Sequence, residues 1–264
     1  MPELPLIRGR RYGYKKNPPD PRDLGVARFL FRKALPPRAS NAQYMGPVLD
    51  QGQQGSCTAH AGVADREFLH WKQIAALGQP VTPGTAGLFS PAFLYYMERS
   101  LDGTLAQGDC GSTGRTSCQA LRMYGCATRS EMPYTDSDCS TAPTQQQLED
   151  ATQWPTGQYH FAAILDDLKS IIASGYNFRW DFVVQESFED VGPAGLYVPS
   201  GDVAGEHETL AYEFDDTLNG GCFTVRNSWS AGWGKSGDFY IRYSDFMNTG
   251  IFLDACIQHL GKWS

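Results

Sequence analysis

The sequence lacks long apolar runs and has no excess of positive charge. No segment reaches the roughly 18 consecutive apolar residues that a membrane-spanning helix needs. The 22 basic and 29 acidic residues leave a formal charge of −7, whereas proteins that bind nucleic acid usually carry a basic face. The composition therefore predicts a protein that neither spans a membrane nor binds nucleic acid.

The sequence also lacks the paired motifs of a zinc site. Cys57 and His60 have the spacing of one zinc half-site, but no second half-site accompanies them. No metal and no other cofactor is expected. The charged segment followed by an apolar segment that marks a signal peptide is missing as well.

The number of cysteines favours an oxidising compartment, although the pattern of a signal peptide is missing. Seven cysteines leave six if one is a reactive thiol, and six cysteines can form three disulfides in an oxidising compartment, periplasmic or extracellular. Closeness in sequence suggests only the pair Cys126 and Cys139. Neither the disulfide pattern nor the localisation follows from the sequence.

The order of predicted elements indicates an α+β protein. An N-terminal extension, residues 1–34, is rich in Arg, Lys and Pro and is predicted to be extended. Helical patterns dominate residues 40–155, and strand patterns dominate residues 156–264, with a cleft expected between the two lobes. Helices are predicted at 56–75, from 90, at 117–124 and at 162–173, and strands at 177–185, 208–214, 222–227 and 239–243.

Cys57 is the candidate nucleophile. It stands at the start of the first predicted helix, directly after a glycine-rich stretch. Unpaired backbone amides and the helix dipole at such a position favour a thiolate. Gln51, six residues earlier, is placed to donate its side-chain amide to an oxyanion together with the Cys57 backbone amide.

His207 is the candidate base for this thiol. It enters a predicted strand after a glycine-containing loop, and Asn227 follows twenty residues later. An asparagine can hold an imidazole in one tautomer, and Trp229 is predicted to shield that hydrogen bond from water and to border the substrate.

Gln51 to Cys57, His207, and the Asn-Ser-Trp block at 227–229 resemble, in order and spacing, the papain-like cysteine peptidases. The resemblance spans about residues 35–264. It implies a two-lobed fold, peptide or protein substrates, and peptide hydrolysis through a thioester. It also implies that Gly111 and Ser112 pair with substrate backbone.

Four positions depart from the familiar pattern. Gln54 stands in place of a disulfide cysteine, Thr58 in place of a tryptophan, and Glu206 and Glu208 flank the histidine. The glutamates are expected to raise the pKa of His207, and Glu206 to favour basic side chains in the adjacent substrate pocket.

The extension gives a zymogen hypothesis, because papain-like enzymes are commonly made with an N-terminal segment across the cleft. Residues 1–34 are therefore expected to occlude the cleft of a monomeric endopeptidase. Two alternatives stay open: an acyltransferase that uses the same Cys and His pair, and an inactive peptidase-like binding module.

Overall fold

Six α-helices and eight β-strands make up the part of the chain that is described. A computed structural model describes residues 4–26, 34–84, 88–248 and 250–260. Most of the extension is therefore described, but residues 1–3 and 27–33 are not. The helices are α1 (Cys57–Ala76), α2 (Pro91–Leu101), α3 (Gly114–Tyr124), α4 (Gln145–Ala151), α5 (Leu165–Ala173) and α6 (Tyr243–Phe246).

Side-chain caps set where two of these helices begin. Ser90 Oγ accepts a hydrogen bond from the Phe93 amide at 3.1 Å, and Pro91 suits the first helical position of α2. Thr113 Oγ1 accepts from the Thr116 amide at 3.0 Å. Because of this cap, α3 begins three residues earlier than the predicted Ser117.

The strands form one mostly antiparallel sheet. They are β1 (Arg38–Ser40), β2 (Tyr159–Phe161), β3 (Phe178–Gln185), β4 (Leu196–Tyr197), β5 (Val203–Asp215), β6 (Cys222–Arg226), β7 (Asp238–Arg242) and β8 (Phe252–Gln258). Their order is β2-β8-β3-β5-β6-β7-β4, and β1 pairs with β5. The four predicted strands are found as β3, β5, β6 and β7, whereas β1, β2, β4 and β8 were not predicted.

Of three apolar clusters in the described residues, the two larger ones correspond to the two lobes of an α+β fold, and a smaller one joins α1 to β5. Helices α1 to α4 enclose one core, which includes Phe93 and Leu121. The other core lies in the sheet lobe, where the Trp180 ring stacks on Phe182 with centroids 4.0 Å apart. Helix α1, which begins at Cys57, packs against β5, which carries His207.

Some expectations fail for local reasons. Helix α4 was not predicted, although Thr144 and Gln147 form a capping box that marks its start. No disulfide joins Cys126 to Cys139, because all seven cysteines are free thiols. The Cys126 thiol instead donates to the Ser90 carbonyl oxygen at 3.6 Å. Within the described residues no helix is long and apolar enough to cross a bilayer.

Candidate active site

Cys57 begins α1 and is fully buried. Burial raises the pKa of its thiol well above the ordinary value. The backbone amides of Glu208 and Gly13 act in the opposite direction and favour the thiolate, but they do not outweigh burial. In this arrangement the thiol is therefore held neutral.

His207 and Asn227 lie side by side on β5 and directly after β6. His207 Nε2 is 2.8 Å from Asn227 Oδ1, so the ring nitrogen donates and the amide oxygen accepts. The same oxygen accepts from the Ser228 amide at 2.8 Å, which fixes the orientation of the Asn227 side chain. Among the described residues no hydrogen-bond partner reaches the buried His207 Nδ1. His207 Nδ1 is therefore available to accept a proton from a neighbouring group.

Burial also sets the protonation state of the histidine. It lowers the pKa of His207 to about 4, despite the hydrogen bond to Asn227. The expectation that neighbouring glutamates raise this pKa is wrong for the covered site, because desolvation is the larger effect. The imidazole is neutral at physiological pH, like the thiol.

Trp229 covers the histidine. Its ring lies 5.3 Å from the His207 ring, centroid to centroid, and is only 2% exposed. This position keeps water from the hydrogen bond between His207 and Asn227.

Gln51 has a fixed side-chain amide. Ser228 Oγ donates to Gln51 Oε1 at 2.6 Å. Gln51 Nε2 then points toward two carbonyl oxygens, those of Gln54 at 2.9 Å and of Arg11 at 3.4 Å. The amide already donates to a carbonyl oxygen of the N-terminal arm.

The arm, described here as residues 4–26, lies across the candidate site in extended form. The Ser112 amide donates to Gly13 O at 2.9 Å, and the Lys15 amide donates to Ser112 O at 2.7 Å. Gly111 lies against the arm backbone at Gly13, since a Cβ added to Gly111 would overlap Gly13 O. The arm backbone thus pairs with the Gly111–Ser112 segment that the sequence assigned to substrate.

Aromatic and charged side chains of the arm complete this contact. The Tyr12 ring meets the His207 ring edge to face, with centroids 6.1 Å apart. The Arg10 guanidinium lies 5.3 Å from the centroid of Trp229. Glu206 is half-buried, and burial raises its pKa although Lys16 of the arm opposes the shift.

The arm residues Gly13 and Tyr14 at this site were not predicted individually. The one signal for them is the Tyr-Gly-Tyr sequence at 12–14, which is unlike the polar, proline-rich remainder of the extension. In the part of the chain that the structure describes, no group of three or more His, Cys, Asp or Glu side chains is placed to hold a metal ion.

Comparison with known proteins identifies the family of the chain. The family model described as papain family cysteine protease matches residues 33–257. The fold is similar to xylellain, a cysteine protease from Xylella fastidiosa, with a TM-score of 0.82, 28% identity and coverage of 95% of this chain and 96% of that chain.

Two further relatives show the same likeness. An uncharacterized peptidase C1-like protein of Acanthamoeba polyphaga mimivirus is 27% identical over 94% of this chain and 86% of that protein. Digestive procathepsin L 3 of the Tenebrio molitor larval midgut shares the fold at a TM-score of 0.69 and 18% identity, over 94% of this chain and 76% of that chain. The chain belongs to the papain family of cysteine proteases.

Proposed function

We propose that the protein is a cysteine endopeptidase that hydrolyses peptide bonds in peptides or proteins. The observation that carries this proposal is the extended arm, whose backbone is held by Ser112 and Gln51 as it passes the Cys57 thiol. A cleft that holds main chain on both sides of the thiol suits cleavage within a chain. The acyltransferase and binding-module alternatives have no comparable support.

The mechanism follows from four side chains. His207 Nδ1 accepts the Cys57 proton, and the sulfur attacks the substrate carbonyl carbon. Gln51 Nε2 and the Cys57 amide stabilise the resulting oxyanion. Asn227 holds the imidazole by its other nitrogen.

Collapse of the tetrahedral intermediate breaks the C–N bond and leaves a thioester on Cys57. The imidazolium of His207 gives its proton to the departing amine. Water, deprotonated by the same imidazole, then attacks the thioester. This second step releases the acid product and the free thiol.

We further propose that residues 1–34 are a pro-segment that occludes the cleft, in front of a peptidase domain at 35–264. Within that domain the helical lobe is about 40–155 and the sheet lobe about 156–264. Gly13 contacts both sides of the site, through Gly111 on one side and the Cys57 thiol on the other. The similarity of the fold to proteases in their proforms supports this assignment.

The test uses full-length Gly13→Ala protein, in which the added Cβ would overlap Gly55 O and displace the arm, and a quenched fluorescent peptide blocked at both ends. An endopeptidase cleaves such a peptide, whereas an exopeptidase does not. Cys57→Ala is expected to abolish cleavage, and Cys139→Ala, which removes a half-buried thiol elsewhere, is expected to retain it. Covalent labelling of Cys57 by an epoxide without cleavage contradicts the proposal, as does transfer of the acyl group to an added amine in preference to water.

A further inference from the structure

Three carboxylates stand in a row across three neighbouring strands beside the candidate site. Asp181 on β3 lies directly opposite Glu208 on β5 and directly opposite Asp254 on β8. Residues paired in this way project from the same face of a sheet. Asp181 and Glu208 are fully buried, and Asp254 is half-buried.

One fully buried cation, Arg179, stands beside the three acids. Arg179 Nη1 lies 3.3 Å from Glu208 Oε1. In the described part of the chain, however, no ion pair includes Asp181 or Asp254. Both Asp181 oxygens are buried, and no N–H donor reaches them there. A buried carboxylate without a partner is costly.

Protons replace the missing cations while the arm is in place. Burial raises the pKa of Asp181, and repulsion from Glu208 adds to the effect. Burial likewise raises the pKa of Glu208 to about 7. Within the described residues these carboxylates do not form a group that could hold a metal ion.

The present occupant of this position is Tyr14 of the arm. Ser112 pairs with the backbone on both sides of Tyr14, and the tyrosine is 4% exposed. Burial is the main cause that raises the pKa of Tyr14, and the charges of Asp181, Glu208 and Asp254 raise it further. The phenol therefore faces the carboxylate row.

Neighbouring groups close the pocket around the phenol. The backbone amide of Asn17 donates to Tyr14 Oη at 3.3 Å. Its side-chain Nδ2 donates to Asp254 Oδ2 at 3.0 Å. Gly114 leaves room for the acids, since a Cβ there would stand 2.9 Å from oxygens of both Asp181 and Glu208.

We infer that Asp181, Glu208 and Asp254 form a specificity pocket for a lysine or arginine side chain of the peptide substrate, next to the residue held at Cys57. The inference rests on the proposed peptidase function. It concerns a different set of acids from Glu206, which lies beside Lys16. Tyr14 fills the pocket as a neutral phenol, and the acids keep their protons. A cationic substrate side chain releases these protons to solvent and forms ion pairs that the arm does not offer.

The first experiment tests the pocket without catalysis. In full-length Cys57→Ala protein, Tyr14→Arg is expected to melt about 3 °C or more above Tyr14→Gln. Adding Asp254→Asn should remove most of that difference, and Asp202→Asn, which neutralises an exposed acid, should leave it intact. A Tyr14→Arg protein that melts at or below the Tyr14→Gln protein overturns the inference.

The second experiment reads specificity directly. Full-length Gly13→Ala protein, in which the added Cβ would overlap Gly55 O and displace the arm, is incubated with a mixture of proteome-derived peptides, and the cleavage sites are identified by mass spectrometry. Lysine or arginine is expected to be favoured at least about tenfold at the position next to the attacked residue, and Asp254→Asn is expected to weaken the preference. Cleavage with no basic preference overturns the pocket. If nothing is cleaved but the melting difference holds, the peptidase proposal fails and the cation pocket stands.

Discussion

The α-carbon of Gly13 in the arm lies directly against the carbonyl oxygen of Gly55, two residues before the candidate nucleophile. A methyl group built on Gly13 would overlap that oxygen. Only glycine therefore lets the arm lie this deep in the cleft. The fit makes the arm sensitive to a change of a single carbon atom.

Gly13→Ala is expected to displace the arm and to raise kcat/KM on a blocked quenched peptide at least about tenfold, because the open state gains population. Alkylation of Cys57 should accelerate in parallel. Gly25→Ala is the matched control, since a Cβ there meets no atom within 4 Å. Equal activity of Gly13→Ala and the parent protein contradicts autoinhibition by the arm.

Asn227→Ala is expected to lower kcat by about 10- to 100-fold, because His207 loses the acceptor that orients its ring. Asn227→Asp keeps an acceptor oxygen and should retain more activity than the alanine variant. Steady-state kinetics over a range of pH separates this effect from simple misfolding. An alanine variant as active as the parent removes Asn227 from the mechanism.

Gln51→Ala is expected to lower kcat by about 10²- to 10³-fold, the usual effect of removing one oxyanion donor. Ser228→Ala should cause a smaller loss, because it removes only the hydrogen bond that positions the Gln51 amide. Gln53→Ala changes an exposed glutamine in the same stretch and should be neutral. Equal kinetics of the Gln51 and Gln53 variants rejects the oxyanion role.

Glu98 is expected to make stability depend on pH. Burial raises its pKa from 4.5 to about 8, although Thr58 Oγ1 donates to its carboxyl group at 2.7 Å. Between these values the folded state holds a proton that the unfolded state has lost. The stability of the fold therefore falls as pH rises through this window.

Glu98→Gln removes this penalty, so its Tm should exceed that of the parent by about 3 °C near pH 9. Near pH 5 the two should be much closer, because Glu98 is protonated in the fold. Thermal melts at both pH values test this, with Glu149→Gln as the exposed control. A difference that is the same at both pH values would show that ionisation of Glu98 is not the cause.

The fold class was predictable from the sequence because the main helices and strands have clear periodicity and boundaries. Pro91 and Gly125 mark helix limits through backbone geometry alone. The start of α3 was missed because the cap at Thr113 lies outside the apolar pattern.

The candidate site was predictable in part. Gln51, Cys57, His207 and Asn227 lie in motifs whose order alone suggested one site, although their roles stay predictions. The path of the arm was not predictable. The acids that Tyr14 faces, Asp181 and Asp254, are brought together only by the pairing of strands that are distant in sequence. Nor does local sequence reveal burial, which reverses the expected direction of the His207 pKa shift.

The neutral, buried thiol of Cys57 has a chemical consequence beyond substrate access. Peroxide and other oxidants attack the exposed thiolate far faster than a buried thiol. With the arm in place, Cys57 presents neither charge nor accessible sulfur. While the arm covers it, the Cys57 thiol is therefore expected to react slowly with peroxide.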